Sequence, residues 1–215
     1  MRWMKIGVDE VGRGCLAGPV TVCAVLLTER FKAPKGLPEL RDSKKMTPLQ
    51  REAWYKWIRK SGSEAGIYYA ISSVSPKIVD RVNIACAANL AAWRSFRKLS
   101  GMIGDSAVEV VLDGGLYLKS RVFQRAGSAG SKAAVRTVVR ADRSFTEVKI
   151  AAVMAKVTRD ARMVGFGQKY PDYGFSAHKG YGTRAHMEAI RKNGVIDGFH
   201  RETFISGIME NMAKS

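Results

Sequence analysis

The sequence predicts an α/β protein in which strands and helices alternate around one sheet. Short runs rich in β-branched residues are bounded by glycines, which is typical of strands. Two longer segments, 77–99 and 145–166, carry small apolar residues at helical spacing. With 46% apolar residues among 215, the chain can fill a core, and its length fits one domain with a small addition.

The chain opens with two predicted strands that form a hairpin. Residues 3–8 are partly β-branched and lead directly into glycines, so they predict a strand that enters a turn. Residues 18–27 form the second strand, with Pro19 near its start, where a missing N–H is tolerated. Its nearly continuous apolar character indicates burial on both faces.

The first predicted helix follows a loop that is punctuated by proline and glycine. Thr47 fits an N-cap with Pro48 at the first helical position, and Gln50 completes a capping box. We expect this helix to continue to about residue 60. The later elements are strand 66–74, helix 77–99, strand 108–114, loop 127–132, strand 135–142, helix 145–166, helix 183–192 and a last helix after residues 200–203.

Acidic residues stand at the ends of three predicted strands. Asp9 and Glu10 follow the first strand, Asp113 the fourth and Asp142 the fifth. Four carboxylates at one edge of a sheet would repel one another unless cations lay among them. Because no histidine or cysteine accompanies them, the oxygen-only set points to Mg²⁺ or Mn²⁺ and not to zinc.

Groups that can contact a phosphate lie near these acids in the sequence. In Gly12-Arg13-Gly14 the glycines permit close backbone approach, and the guanidinium can donate two parallel hydrogen bonds. Ser43 and Lys44 precede the first helix, where hydroxyl, ammonium and free N–H groups can hold a phosphate. Taken alone, each segment is also typical of an ordinary solvated turn.

The charge of the chain indicates a polyanionic partner. Lys and Arg total 36 against 19 acidic residues, which gives a formal net charge of +17. Such an excess favours nucleic acid and predicts salt-sensitive affinity. Three cysteines without CxxC spacing argue against a disulfide framework and a zinc site. No signal peptide or membrane-spanning run is visible, so we expect a cytoplasmic protein in a reducing compartment.

The segment 170–183 is aromatic, basic and rich in glycine. Aromatic faces beside cations suit stacking on sugars or bases, although packing on the core is an equal alternative. The three histidines, His178, His186 and His200, lack metal-ligand spacing. We expect each of them to form local hydrogen bonds or to face solvent.

Together these stretches resemble the signatures of the type 2 ribonucleases H, most closely the bacterial ribonuclease HII family. The matching motifs are GVDEVGRG at 7–14, DSKK at 42–45, LDG at 112–114, AKVTRD at 155–160 and HKGYGT at 178–183. Each motif is weak alone, but five in order over nearly the whole chain are specific. The helix stretch 149–154 departs from the small residues usual in that family, since Ile150 is bulky.

The resemblance implies a ribonuclease H-like fold, with a central mixed sheet flanked by helices and a small helical C-terminal subdomain. We place the catalytic domain at residues 1–168 and the substrate-binding subdomain at residues 169–215. The implied activity is endonucleolytic cutting of RNA in RNA–DNA hybrids, and cutting 5′ of single ribonucleotides embedded in duplex DNA. The protein is then expected to act on these nucleic acids as a monomer, with no membrane partner.

The resemblance also assigns roles to residues of this sequence. The implied ligands of two divalent ions, Mg²⁺ or Mn²⁺, are the four acids at the strand ends: Asp9, Glu10, Asp113 and Asp142. The implied substrate contacts are Gly12, Arg13, Gly14, Ser43, Lys44 and Tyr181. Among these, the glycine loop would sense the ribose 2′-hydroxyl, the tyrosine would pack on the next deoxyribose, and the serine and lysine would hold phosphate.

Two alternatives remain open from the sequence. Another two-metal nuclease of the same fold, of the resolvase or integrase type, would cut DNA that contains no ribonucleotide. The pairing of Gly12-Arg13-Gly14 with Tyr181 speaks against that alternative. A non-catalytic nucleic-acid binder would need no carboxylates and would bind equally well with a chelator present.

Overall fold

A five-stranded mixed sheet forms the centre of the computed structural model, which describes residues 3–102, 107–118 and 133–206. The strands are β1 (Trp3–Val11), β2 (Val20–Leu27), β3 (Ile67–Val74), β4 (Ala107–Asp113) and β5 (Ala133–Val138). Their spatial order is β3-β2-β1-β4-β5. Strand β2 lies antiparallel to β1 and β3, whereas β1, β4 and β5 run parallel. The predicted mixed sheet and opening hairpin are confirmed.

Helices cover both faces of this sheet. They are α1 (Pro48–Ser61), α2 (Pro76–Val82), α3 (Ile84–Ser100), α4 (Thr146–Lys169), α5 (Phe175–His178) and α6 (Arg184–Asn193), with 3₁₀ turns at Ala141–Arg143 and Pro171–Tyr173. Residues 202–206 are also helical, as expected for the last helix. In the described ranges, no helix combines the length and apolar character needed to span a bilayer. The predicted loop 127–132 lies outside the described residues.

Two apolar layers hold the helices on the sheet. On one face, α3 packs Ala88 and Phe96 against alternate residues of β1 and β2. On the other face, α4 and α1 share a second layer with β2, in which Ile150 is fully buried despite its size. Helix α4 approaches β1 most closely at Gly7, where a Cβ would collide with the backbone of Glu147. The absence of a side chain at Gly7 thus lets α4 pack directly on β1, the strand that carries Asp9 and Glu10.

Helix α1 begins as the sequence predicts. The hydroxyl of Thr47 accepts a hydrogen bond from the N–H of Gln50, and the Gln50 side-chain oxygen accepts one from the N–H of Thr47. This capping box satisfies two backbone donors that a helix start leaves unpaired. One turn further on, Arg51 donates to the Ser43 carbonyl at 2.8 Å and so fixes the turn before the helix.

The predicted helix 77–99 is wrong in one respect, because it is two helices. Helix α2 ends at Val82 and α3 begins at Ile84, with Asn83 between them at φ +65°. The Asn83 side-chain oxygen accepts a hydrogen bond from the N–H of Cys86 at 3.0 Å and caps α3. Asparagine tolerates a positive φ better than most residues, so the helix breaks here although the apolar pattern continues.

The predicted strand 135–142 is also wrong at its end. Strand β5 stops at Val138, and Asp142 lies in the 3₁₀ turn that follows. Arg140 adopts φ +59°, which turns the chain out of the sheet. Asp142 therefore reaches the edge of the sheet from a turn and not from a strand end.

The C-terminal part packs on the loop that joins β1 to β2. Phe175 and Phe199 belong to an apolar cluster that also takes in residues of α4 and of this loop. An isolated antiparallel bridge pairs Cys15 with Tyr181. These contacts attach the segment after α4 to the glycine loop of the hairpin.

Candidate active site

The acidic residues predicted to bind metal meet at one edge of the sheet. Asp9 continues the parallel register of β1 and β4 by one residue, and so lies beside Asp113. Asp113 Oδ1 accepts a hydrogen bond from the Ala141 N–H at 2.5 Å, which ties β4 to the turn that carries Asp142. We call this group of four acids the carboxylate edge: Asp9, Glu10, Asp113 and Asp142.

Asp9 is buried among other negative groups. Only 7% of its surface is exposed. Burial above all, and then the charges of Glu10, Asp113 and Asp142, raise the pKa of the Asp9 carboxyl well above its ordinary value. A hydrogen bond from the Glu10 N–H to Asp9 Oδ1, at 2.7 Å, offsets part of this effect. The ionised carboxylate is therefore less favourable here than in an exposed aspartate, and a positive charge in the site would stabilise it.

Glu10 and Asp142 receive partial compensation from cations. Burial raises the pKa of Glu10, while Arg13, whose Nη1 lies 3.3 Å from Glu10 Oε1, opposes the rise. Burial and then Asp113 raise the pKa of Asp142, and Lys44 opposes that rise. The structure thus brings Arg13 and Lys44, from two separate motifs, to the carboxylate edge.

The donor set of the carboxylate edge suits a divalent cation. Its donors are all carboxylate oxygens, and Glu10 Oε2 is buried without a hydrogen-bond partner among the described residues. Mg²⁺ and Mn²⁺ prefer such oxygen ligands. Within the described part of the chain, no three acidic, histidine or cysteine side chains are already drawn together as a metal-binding group. A cation that binds here therefore has to draw the carboxylates towards itself.

The loop Gly12-Arg13-Gly14 is held by a buried arginine whose role the sequence did not reveal. Arg201 Nη2 donates to the Gly12 carbonyl at 2.7 Å, and Nη1 donates to the Arg13 carbonyl at 2.8 Å. Its Nη2 also donates to the Gly18 carbonyl at 3.0 Å. A lone arginine far along the chain gives no signal of such a role in a single sequence.

Arg159 secures the other side of the same loop. Three backbone carbonyls accept from its guanidinium at 2.9 to 3.1 Å, those of Pro19, Lys179 and Ala17. Arg159 and Arg201 are both 0% exposed, and we call the pair the loop clamp. Arg159 stands at helical spacing from the buried Ala155, and that spacing was the available signal of its burial.

The two glycines of the loop have different surroundings. Gly12 has φ +85°, and a Cβ there would collide with the Arg159 guanidinium. Gly14 is exposed, and a Cβ there would meet nothing within 4 Å. The carbonyls of Gly12 and Arg13 already accept from Arg201, and the exposed Gly14 is the part of the loop that a ligand can approach most freely.

Tyr181 is a half-exposed ring beside two cations. Its ring centroid lies 5.6 Å from Lys156 Nζ and 5.8 Å from Arg159 Cζ. Burial raises the pKa of the phenol to about 12, so the hydroxyl stays protonated at neutral pH. With 38% of its surface exposed, the ring offers an apolar face to a ligand next to the glycine loop.

A histidine cluster lies behind Tyr181. The His186 and His200 rings join through Nε2 atoms 3.2 Å apart, and His178 stacks on His186 at 4.3 Å. His200 Nδ1 accepts from the Ile196 N–H, so its proton is on Nε2 and is donated to His186. His186 Nδ1 then donates to the Tyr181 carbonyl at 2.9 Å. The expected local hydrogen bonds are present, but the pairing of two histidines was not foreseen.

The same burial keeps the histidine pair neutral. Desolvation lowers the pKa of His186 and of His200 to about 4. Both rings can then keep the single tautomer that the chain of hydrogen bonds requires. The pair therefore supports the backbone at Tyr181 without carrying charge at neutral pH.

Ser43 and Lys44 lie in the turn before α1. The Lys44 N–H donates to Asp42 Oδ1 at 2.9 Å, so the turn-forming interpretation holds for this segment. Ser43 is buried, whereas the Lys44 side chain is exposed. Of the two predicted phosphate contacts, Lys44 is thus the one that stands open to a ligand beside the carboxylate edge.

Comparison with known proteins shows which family this sequence matches. A model of the ribonuclease HII family matches residues 6–206. Ribonuclease HII of Fusobacterium nucleatum is 38% identical over 205 residues, which cover 95% of this chain and 87% of that protein. Ribonuclease HII of Bacillus cytotoxicus is 38% identical over 198 residues, which cover 92% of this chain and 67% of that protein.

Solved structures share the fold. Ribonuclease H2 from Pyrococcus horikoshii OT3 has a TM-score of 0.66 at 23% identity, covering 99% of this chain and 100% of that one. A chain of the PCNA:RNase HII complex from Archaeoglobus fulgidus has a TM-score of 0.65 at 22% identity, with coverages of 93% and 94%. Bst-RNase HIII in complex with Mn²⁺ has a TM-score of 0.59 at 16% identity, with coverages of 94% and 67%. The predicted fold class is confirmed.

Proposed function

The chain belongs to the ribonuclease HII family and is thus a ribonuclease H, and from this we propose that it cuts the RNA strand of RNA–DNA hybrids. We also propose that it cuts duplex DNA on the 5′ side of a single embedded ribonucleotide. The products carry a 3′-hydroxyl and a 5′-phosphate. The observation that supports this most is the under-compensated carboxylate edge beside a glycine loop and a half-exposed tyrosine.

Two divalent ions, Mg²⁺ or Mn²⁺, are part of the proposal. The groups that would hold them are Asp9, Glu10, Asp113 and Asp142. When bound, such ions lower the pKa of an attacking water and neutralise the leaving 3′-oxygen. The raised pKa values of Asp9 and Glu10 imply that cation binding competes with protons, so affinity falls as the pH falls.

Residues of the chain itself position the substrate phosphate. The Arg13 guanidinium is held by Glu10, and a Cβ added at Gly115 would lie 3.0 Å from Arg13 Nη1. From this place it can donate two parallel hydrogen bonds to a phosphate at the carboxylate edge. Lys44 adds a point charge on the side of Asp142. Both cations stabilise the negative charge that builds up on the phosphate in the transition state.

Sugar discrimination in this proposal comes from two opposed surfaces. The ribose 2′-oxygen is the atom that distinguishes RNA from DNA. Gly14 has open space on its Cβ side, so a sugar can approach the loop backbone there, while the loop clamp holds the carbonyls of Gly12 and Arg13 in place. Tyr181 packs its ring on the next sugar and favours one without a 2′-oxygen. Residues 1–168 then carry catalysis, and residues 169–215 supply the tyrosine.

The decisive experiment is cleavage of a labelled DNA duplex that holds one ribonucleotide. It is run with Mg²⁺, with Mn²⁺ and with chelator, beside an all-DNA control duplex. We expect metal-dependent cutting on the 5′ side of the ribonucleotide and no cutting of the control. Equal cutting of both duplexes would favour a DNA nuclease of the same fold, and binding without cutting under all three conditions would favour a non-catalytic binder.

A further inference from the structure

A groove crosses the free edge of the sheet at β3. Helix α3 borders it from one face of the sheet and α4 from the other, and it has a volume of about 790 Å³. The two helices contribute six side chains to its lining: Trp93, Arg94, Arg97, Lys98, Thr158 and Arg162. We call this feature the edge groove.

The edge groove is lined by cations without acids. None of its lining residues is acidic, and among the described residues none of its four cations forms an ion pair. Other exposed cations, such as Arg136 and Arg184, do pair with a carboxylate. Arg97 stacks over Trp93, with Cζ 5.3 Å from the ring centroid, which holds its guanidinium in place. Lys98 Nζ donates to the Ile71 carbonyl at 3.4 Å, but no carboxylate of the described residues neutralises any of the four cations, so the groove keeps its positive charge.

A hydroxyl in the groove wall also lacks a partner. Thr158 Oγ1 is buried and has no hydrogen bond to any described residue. Leaving a buried hydroxyl without a hydrogen-bond partner destabilises the folded protein. Because Thr158 lines the groove, rotation of its side chain towards an oxygen-rich ligand there would give the hydroxyl a partner. Guanidinium forks, an ammonium and a hydroxyl are together the groups that proteins use for phosphate oxygens.

The edge groove and the carboxylate edge lie about two strands apart in the same sheet. Ser72, which lines the groove, pairs with Val22, and Val22 pairs with Glu10 in the same row of the sheet. Two strand spacings of ~4.8 Å separate Ser72 from Glu10, about 10 Å in all. The grooves of a nucleic-acid duplex are ~6–12 Å wide. A duplex that is cut beside Glu10 can therefore place a neighbouring or opposite backbone at the edge groove.

We propose that the edge groove is a second phosphate-backbone site, which holds duplex that flanks the scissile phosphate. The proposal rests on the proposed function, since it extends the path of the same substrate. A free strand edge can also accept an acidic peptide as an added strand, and edge cations can simply prevent aggregation. The shared row with Glu10 and the unpaired hydroxyl favour the duplex.

The test compares two variants with the same net charge. The groove variant carries Arg94→Gln, Arg97→Gln and Arg162→Gln, and the control variant carries Lys32→Gln, Lys35→Gln and Lys60→Gln. Each is assayed on a short duplex and on one several helical turns long, both with a single ribonucleotide. For the wild type and the control, KM should be at least about tenfold lower on the long duplex. The groove variant should lose this advantage.

Salt dependence provides the second readout. Binding of the long duplex is measured with chelator over a range of salt concentrations, so it needs no cleavage. Each lost phosphate contact reduces the salt slope by ~0.9, so the groove variant should show a slope smaller by about 2.7. The control variant should keep the wild-type slope.

The outcomes separate this proposal from the proposed function. If the wild type cleaves neither duplex, the proposed function fails, and the salt slopes still test the groove. If the groove and control variants share one slope and one length dependence, the edge groove binds no duplex. Two further comparisons would lead to the same conclusion. One is that the groove variant differs from the control only in a stronger tendency to aggregate. The other is that, in a binding assay with a glutamate-rich peptide, it differs only in a lower affinity for that peptide.

Discussion

The carboxylate edge and the loop clamp are neighbours with opposite electrostatic states. Asp9 is buried among like charges, and its pKa is raised well above the ordinary value. Arg159 and Arg201 are equally buried, yet backbone carbonyls accept hydrogen bonds from both of their guanidinium groups. Burial lowers the pKa of Arg201 to about 10, so its guanidinium still carries its charge at neutral pH. Burial among like charges stores free energy that a ligand can release, whereas burial with hydrogen bonds to backbone carbonyls produces a rigid support.

This difference indicates a division of labour. The loop clamp holds the glycine loop without any ligand, so the recognition that we propose for this loop would be preorganised. At the carboxylate edge, burial and like charges disfavour ionisation, and the divalent ions that we propose would offset both. If these ions bind as proposed, they should stabilise the folded protein strongly.

Removing the Asp9 carboxylate should have the largest effect and should separate activity from stability. We expect Asp9→Asn to reduce cleavage by at least about a thousandfold, on the order of 4 kcal/mol of transition-state stabilisation. In the presence of chelator, urea denaturation of the same variant should give a free energy of unfolding about 1 kcal/mol higher than that of the wild type. The reason is that the variant lacks a buried carboxylate among like charges. Asp172→Asn, an exposed acid away from the edge, is the control. Wild-type turnover in Asp9→Asn would rule out its role as a metal ligand.

Removing one arm of the loop clamp should instead reduce stability. Arg201→Met retains much of the side-chain length but leaves the carbonyls of Gly12, Arg13 and Gly18 without their donor. We expect a loss of about 3–4 kcal/mol in the free energy of unfolding, measured by urea denaturation. Lys192→Met, on the exposed surface, should change it by less than about 0.5 kcal/mol. A loss as small as that of Lys192→Met would show that the clamp is not needed to hold the loop.

Acid should affect the two sides of the site in opposite directions. His186 and His200 have pKa values lowered from 6.5 to about 4, so their contribution to stability is complete above 6.5 and is lost as the pH falls towards 4. The raised pKa of Asp9 acts in the opposite direction and favours the folded state as the pH falls. Between pH 7 and pH 5 the free energy of unfolding should therefore fall by about 2 kcal/mol for each of the two histidines, or about 4 kcal/mol for the pair, with a partial gain at the carboxylate edge.

Two variants can resolve these opposed contributions. His200→Gln keeps a donor towards His186 but removes one titrating ring, so its stability should fall less than that of the wild type between the two pH values. Asp9→Asn removes the opposing gain, so its stability should fall more. If all three proteins lose the same amount, the pH dependence arises elsewhere in the molecule.

The smallest effect is expected at the glycine with open space. Gly14→Ala should leave the free energy of unfolding within about 0.5 kcal/mol, because its Cβ meets nothing within 4 Å. It should still raise KM for a ribonucleotide-containing duplex about tenfold, since the methyl group stands where the sugar approaches. Gly12→Ala should instead lose stability, because the added carbon collides with the loop clamp. Equal stability losses in the two variants would contradict this assignment.

Local pattern was enough to place most elements of the fold. The capping box at Thr47 and the small-residue face of α4 are local signals, and both agree with the structure. The break at Asn83 was missed because apolar spacing continues across it and only the backbone angle changes. Asp142 was placed at a strand end because its residue type fitted, although a 3₁₀ turn brings it to the edge.

Long-range contacts explain what the sequence left out of the site. Arg201 looks like a surface charge until the fold brings it to the glycine loop, 188 residues away from Arg13. The pairing of His186 with His200 likewise depends on the turn between α6 and the last helix. Residues that act directly on a ligand carry recognisable types and motifs, whereas residues that support them are recognised only by their position in three dimensions.

The distance in sequence between Arg13 and Arg201 also matters during protein synthesis. At ~5–20 residues per second, on the order of 10–40 s pass between the addition of the first and of the second. Once Asp113 has been added, the nascent chain contains Asp9 and Asp113 but still lacks the arginine that completes the glycine loop. A chain interrupted before residue 201 lacks the donor that holds the carbonyls of Gly12 and Arg13. The ribonucleotide recognition that we propose for this loop would therefore depend on a residue that is translated long after the loop itself.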